Sequence, residues 1–282
     1  MNFLRFKSQN INLRSAILLG AVAFAAIGLG GCDKLKARDL LHQGTQAYAA
    51  GQTDAAIADF QKAMALDPNL LTAQLYLATA YQQQYVPSAS TPENNRIGDE
   101  ALAQYKAVLD KDPSNVTAIN GLGSLLFSMA GTPFSPEKFQ ESKDYWEKYI
   151  QVKPDDAEPY YWIGLIDWTL AYHANQMMRS EYNHANAKKQ IHDDQPLPPD
   201  LRAKFTAEES ATVAEAVDML QKAIQRRSDY DDAVAYLSLM YRQKADMSSS
   251  PSERDDMLKQ EDALLDQVKQ IKQKKAAAQP SS

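Results

Sequence analysis

Cysteine is almost absent. Cys32 is the only one in 282 residues, so no intrachain disulfide can form and no cysteine-based metal spacing exists. Four histidines are present, but never as the His-Glu-x-x-His pair that would hold a catalytic zinc. The 11 glycines nowhere form the Gly-rich loop that cradles a phosphate. Basic residues are in deficit, 30 Lys and Arg against 36 Asp and Glu. That balance argues against nucleic acid, whose binding rests on Lys and Arg at phosphates. These absences leave no catalytic constellation, and we expect no enzyme, cofactor or metal site.

The one long apolar run stands at the start. Met1 to Arg14 carries Arg5, Lys7 and Arg14 and no acid, and Ser15 to Gly31 is almost wholly apolar or small. A basic segment, an apolar segment and small residues at the end make a secretory signal peptide over residues 1–31. The stretch Leu29-Gly30-Gly31-Cys32 resembles the bacterial lipobox. The resemblance implies cleavage between Gly31 and Cys32, a diacylglycerol on the Cys32 sulfur, and residence in a bacterial cell envelope facing the periplasm. An uncleaved membrane anchor and a plainly secreted chain are the alternatives; the run is at the short edge for a spanning helix. The leader holds three of the 30 basic residues and none of the acids, so the mature chain carries 27 against 36. Lipid, not charge, would hold it to a membrane. Residues 32–37 read as a short tether. The choice between inner and outer membrane stays open.

The rest is organised by a repeated pattern. Gly44 to Pro68 reads as two amphipathic helices with a turn at Gly51-Gln52-Thr53-Asp54. Gly51 would close the first helix and Thr53 or Asp54 open the second. Ala56, Phe60 and Ala63 fall on one face of the second, and Gly44 and Ala47 are small on the facing side of the first. Leu40-x2-Gln43-Gly44-x2-Ala47, Ala56-x3-Phe60 and Pro68 resemble the tetratricopeptide repeat, a helical hairpin of about 34 residues. The pattern returns as Gln74-x2-Leu77-Ala78-x2-Tyr81 with Ala101-x3-Tyr105, and as Ile119-x2-Leu122-Gly123-x2-Leu126 with Ser142-x3-Trp146. It returns again as Tyr160-x2-Ile163-Gly164-x2-Asp167 with Ala216-x3-Leu220, and as Val234-x2-Leu237-Ser238-x2-Tyr241. One hairpin cannot bury both its faces, so such units stack. The resemblance implies an all-α tetratricopeptide-type α-solenoid of about five repeats over residues 38–275.

Ala56, Ala101, Ser142 and Ala216 are 45, 41 and 74 residues apart. Beyond a unit of about 34 residues, insertions remain near Tyr85 to Gly98, near Gly131 to Glu137, and over residues 173–205. The last should continue the preceding helix through HANQMMRSEYNHANAKKQ, break at Asp193 to Pro199, and restart at a Thr206 N-cap after a short turn at Asp200 to Phe205. His173, His184 and His192 lie in this insert. On one helix His173 and His184 would stand about 16 Å apart, too far for one ion to bridge. Residues 253–275 read as a final helix packed on repeat five, and residues 276–282 as a disordered tail.

All three tryptophans fall between Tyr145 and Tyr172. Trp146 and Tyr160 stand at core positions of the repeat. The family resemblance places Tyr161 and Trp168 at positions that look into the concave groove, with Asn120 and Phe127 from repeat three and Arg242 from repeat five. An aromatic, amphipathic groove suits a protein or peptide ligand. The competing reading has Trp168 packed beneath the insert. The Lys and Asn clamp that some tetratricopeptide proteins use for carboxylate tails is absent, since Leu41 and Thr45 hold those places. The expectation is a membrane-anchored scaffold for protein–protein interaction. Rival readings are an accessory factor for outer-membrane protein or pilus secretin assembly, and a metal-binding or hydrolytic protein built on the insert.

Overall fold

A computed structural model describes residues 32–278. Ten helices account for most of them, and no strand occurs among the described residues beyond a single bridge between Gly131 and Phe134. The helices are α1 (32–49), α2 (Thr53–Leu66), α3 (Leu71–Gln84), α4 (Pro92–Lys111), α5 (Val116–Ala130), α6 (Pro136–Val152), α7 (Glu158–Ala185), α8 (Pro199–Arg226), α9 (Asp231–Met247) and α10 (Pro251–Ala278). They fall into two compact units. One holds α1 to α4 and the other α5 to α10.

In the first unit, Gly51 turns the chain between α1 and α2 at φ +73°, a conformation that costs glycine little. Ala56, Phe60 and Ala63 of α2 are fully buried. A Cβ on Gly44 would lie 2.5 Å from Phe60 Cε1, so the missing side chain is what lets the two helices close. Gln52, not Thr53 or Asp54, is the N-cap of α2, and its side chain makes no capping bond. In the next hairpin Ala78 of α3 and Ala101 and Tyr105 of α4 are buried. Tyr105 Oη donates to Gln82 Oε1 at 2.6 Å.

The second unit repeats the device. A Cβ on Gly123 of α5 would lie 2.6 Å from Trp146 Cε2 of α6, and one on Gly164 of α7 would lie 2.5 Å from Leu220 Cγ of α8. Trp146 and Leu220 are fully buried. Each of α5/α6, α7/α8 and α9/α10 packs as a hairpin, and each hairpin packs on the next through α6/α7 and α8/α9.

Several boundaries differ from the sequence expectation. Residues 32–37, read as a tether, are the first turns of α1. Half of the loop expected at Tyr85 to Gly98 is helix: Thr91 caps α4 by accepting from Asn94 N–H, with Pro92 at its first position. The helix α8 runs unbroken from Pro199 through Thr206, because no residue between them interrupts it and Phe205 is buried against Met178 and Leu197. The final helix reaches from Pro251 to Ala278 rather than 253–275. Ser250 and Glu253 form its capping box: Ser250 Oγ accepts from Glu253 N–H, and the Glu253 carboxylate accepts from Ser249 and Ser250 N–H. Residues 276–278 of the expected tail are thus helical, while 279–282 and the leader 1–31 lie outside the described residues.

Candidate functional site

The aromatic side chains of α5, α7 and α9 join into a continuous track. Phe127 meets Trp162 edge-on at 5.2 Å, and Trp162 meets Tyr161 at 5.8 Å. Tyr161 and Trp168 both pack on Tyr236 of α9, at 5.9 and 5.0 Å. Trp168 then stacks on Tyr172 at 5.2 Å, and Tyr172 is 39% exposed. The rings come together because Tyr161, Trp168 and Tyr172 recur at seven and four residues, one helix face, while Tyr236 reaches them from the neighbouring first helix of a repeat. Edge-on and offset contacts of this kind add to plain burial.

Tyr161 and Trp168 are neither wholly groove nor wholly core. Both are half-buried against the cluster formed by Tyr160, Val213, Tyr230, Leu237 and Met240. Burial, with the nearby Tyr236 and the carboxylates of Asp232 and Glu158, pushes the Tyr161 hydroxyl well above its ordinary range, so it stays a neutral donor. Trp168 Nε1 is buried without an acceptor. Phe127 is half-buried and also touches Phe139 at 5.4 Å. Asn120 is half-buried, and its carbonyl accepts from Ser124 Oγ at 2.9 Å. Arg242 is held elsewhere: its guanidinium donates to Glu261 Oε2 at 3.4 Å and to the Asp193 carbonyl at 3.3 Å. The structure thus joins Phe127, Tyr161 and Trp168 through Trp162 and Tyr236, and directs Arg242 to α10 and the insert.

Two buried polar clusters lie in the same unit. Lys143 of α6 bridges Asp167 of α7 at 2.8 Å and Glu215 of α8 at 2.9 Å. Burial pushes Asp167 up to about 7, the Lys143 ammonium only partly offsetting it. The Lys143 ammonium in turn is raised, its two carboxylate partners outweighing the burial. In the insert, Arg179 of α7 pairs with Asp246 of α9 at 2.7 Å and donates to the carbonyls of His192 and Gln195. Asn175 joins Arg179, Gln243 and Asp246. The loop between α7 and α8 is thereby tied down on α9. Of the insert's histidines, His173 stacks on Phe134 at 3.6 Å, His184 lies in the last turn of α7 and His192 lies in the loop. No group of three or more His, Cys, Asp or Glu that could hold a metal ion occurs among the described residues.

The same arrangement of helices occurs in solved structures. A crystal structure of MamA protein aligns over 88% of this chain and 97% of its own, at 16% identity and a TM-score of 0.57. A second MamA structure covers 83% and 96% at 18% identity and a TM-score of 0.52. YrrB, described as a TPR protein with an unusual peptide-binding site, covers 84% and 90% at 14% identity and a TM-score of 0.50. The fold is of the tetratricopeptide class. At these identities the likeness is one of fold. No family model and no curated protein matches the sequence.

Sequence reasoning passed over Trp162 and Tyr236 as groove residues and did not single out the Lys143 and Arg179 clusters. One signal was present. Asp167 stands where the repeat pattern has tyrosine, a position filled by Tyr81, Leu126 and Tyr241 in its sister repeats. A charge at a core position calls for a buried partner, and Lys143 is that partner.

Proposed function

We propose that this chain is a scaffold that binds a segment of another protein along the aromatic track and is held at an envelope membrane by lipid on Cys32. The observation that carries the binding half is the unbroken run of rings from half-buried Phe127 to exposed Tyr172. Rigid aromatic rings give large contact area at little entropic cost, and binding hot spots favour them. The tetratricopeptide fold supports the reading, as does the peptide-binding site described for YrrB. The anchor is supported by the lipobox resemblance and by an exposed Cys32 at the start of α1. The two acyl chains of a diacylglycerol hold a protein far more firmly than the single chain that binds only marginally.

A photoreactive phenylalanine analogue placed at Tyr172 tests the groove in the native envelope. The scaffold reading requires a discrete protein adduct there, and none from the same probe at Lys259, whose side chain is 73% exposed on α10. Equal labelling from both positions, or none from either, overturns it.

A further inference from the structure

A second feature, away from the aromatic track, lies along α8. A cavity of about 560 Å³ opens between α8, α9 and α10, within the range of small-molecule sites (~300–1,000 Å³). Val213 and Val217 of α8, Met247 of α9 and Met257 of α10 give it apolar walls, with Lys244 and Glu253 among its polar lining. Methionine is flexible and polarizable, so two of them can fit an irregular apolar shape.

The two charges are not equivalent. The Glu253 carboxylate already accepts from Ser249 N–H at 2.9 Å, Ser249 Oγ at 2.7 Å and Ser250 N–H at 3.3 Å. It is spent on capping α10. The Lys244 ammonium has only the Tyr241 ring, 5.1 Å from its centroid, and no carboxylate partner among the described residues. Its long stem can follow an apolar wall while its head stays in solvent. The uncommitted charge of the cavity is therefore positive.

We propose that this cavity binds a fatty carboxylate, with the acyl tail against Val213, Val217, Met247 and Met257 and the carboxylate on Lys244 Nζ. Ser210 to Val217 spans two turns of α8, about 10 Å, which accommodates much of a medium-length tail. A charge-assisted bond to Lys244 supplies selectivity for the acid over an alcohol of equal length. Val213 also backs the aromatic cluster, but the other lining residues are not part of the aromatic track, and the proposal does not depend on that track.

The test uses the purified full chain and a diazirine-bearing dodecanoate, with the matching dodecanol as control. Cross-linked peptides are mapped by mass spectrometry, which separates this site from any general partitioning. The expected result is labelling concentrated on residues 210–217 and 247–257, competed by plain dodecanoate and about tenfold weaker for the alcohol. Lys244→Gln should remove that preference while leaving the melting curve unchanged. Met257→Glu, a charge set on the wall, should suppress labelling by both probes. Equal labelling by acid and alcohol, a preference that survives Lys244→Gln, or adducts scattered over other helices would overturn the proposal.

Discussion

Replacing Gly123 with alanine sets two effects of opposite sign against each other. In a helix interior alanine is favoured over glycine by about 1 kcal/mol, so the change should stabilise α5 if nothing else were involved. A Cβ there, however, would stand 2.6 Å from Trp146 Cε2 and 2.8 Å from Nε1. Ordinary carbon contacts lie near 3.5–4.0 Å, so the indole must retreat by about 1 Å. It has little room: Trp146 is fully buried, lies parallel to Trp162 at 5.2 Å and touches Tyr149 at 5.9 Å. Overpacking of this kind costs about 1–3 kcal/mol, and a rigid two-ring side chain between neighbours belongs in the upper half of that range. We expect a net loss of about 1–2 kcal/mol, or about 2–8 °C for a chain of this size. Gly131→Ala is the control, since its Cβ would meet nothing nearer than the Ser128 carbonyl at 4.0 Å. Stacked repeats need not unfold in one step, so urea unfolding should be followed by tryptophan fluorescence and far-ultraviolet dichroism together. If Gly123→Ala matches Gly131→Ala in stability, with its near-ultraviolet dichroism unchanged, the close contact between α5 and α6 is not as described.

Four further outcomes are expected. Cys32→Ser should release the protein from membranes or leave it unprocessed, and mass spectrometry of the mature N-terminus reads the lipid directly; an unmodified Cys32 in the wild type removes the anchor. Ala56→Leu should cost about 1–3 kcal/mol by overpacking a fully buried position, seen as a lowered melting temperature, and an unchanged one argues against the register of α1 on α2. Trp168→Ala should weaken adduct formation at Tyr172 by about 2 kcal/mol or more, with a stability loss below the ~3–5 kcal/mol of a fully buried tryptophan; lost stability with unchanged adduct yield would make it core alone. Asp167 is raised to about 7 from an unfolded value near 3.9, so between those pH values the native state binds a proton that the unfolded chain does not. Its contribution to stability therefore falls as pH rises from about 4 to about 7 and is level above, and urea melts at pH 5 and pH 8 should show a smaller difference for Asp167→Asn than for the wild type.

What could be read from the sequence was local. A small residue facing a large one across a hairpin leaves a mark at fixed spacing, and Gly44 with Phe60, Gly123 with Trp146 and Gly164 with Leu220 all meet as that spacing required. The candidate groove was legible only in part. Helical periodicity sets Tyr161 and Trp168 on one face, but whether that face is covered depends on Tyr236, which arrives from a different hairpin. The insert was least legible, because what positions it is remote. Thr206 with Glu209 has the form of a helix start, yet it lies inside α8. The burial of Phe205 against Met178 and Leu197 favours one long helix over two short ones, and capping strength of about 1 kcal/mol does not outweigh the burial of a phenylalanine at about 1.5–3 kcal/mol. The loop before α8 is fixed in the same way by Arg179, whose partner Asp246 is 67 residues along the chain. Removing Asp246 would leave a buried guanidinium without its counter-charge, a far larger cost than the loss of a surface pair. The conformation of the insert is thus a consequence of α9 being in place, and no pattern confined to residues 173–205 could have encoded it.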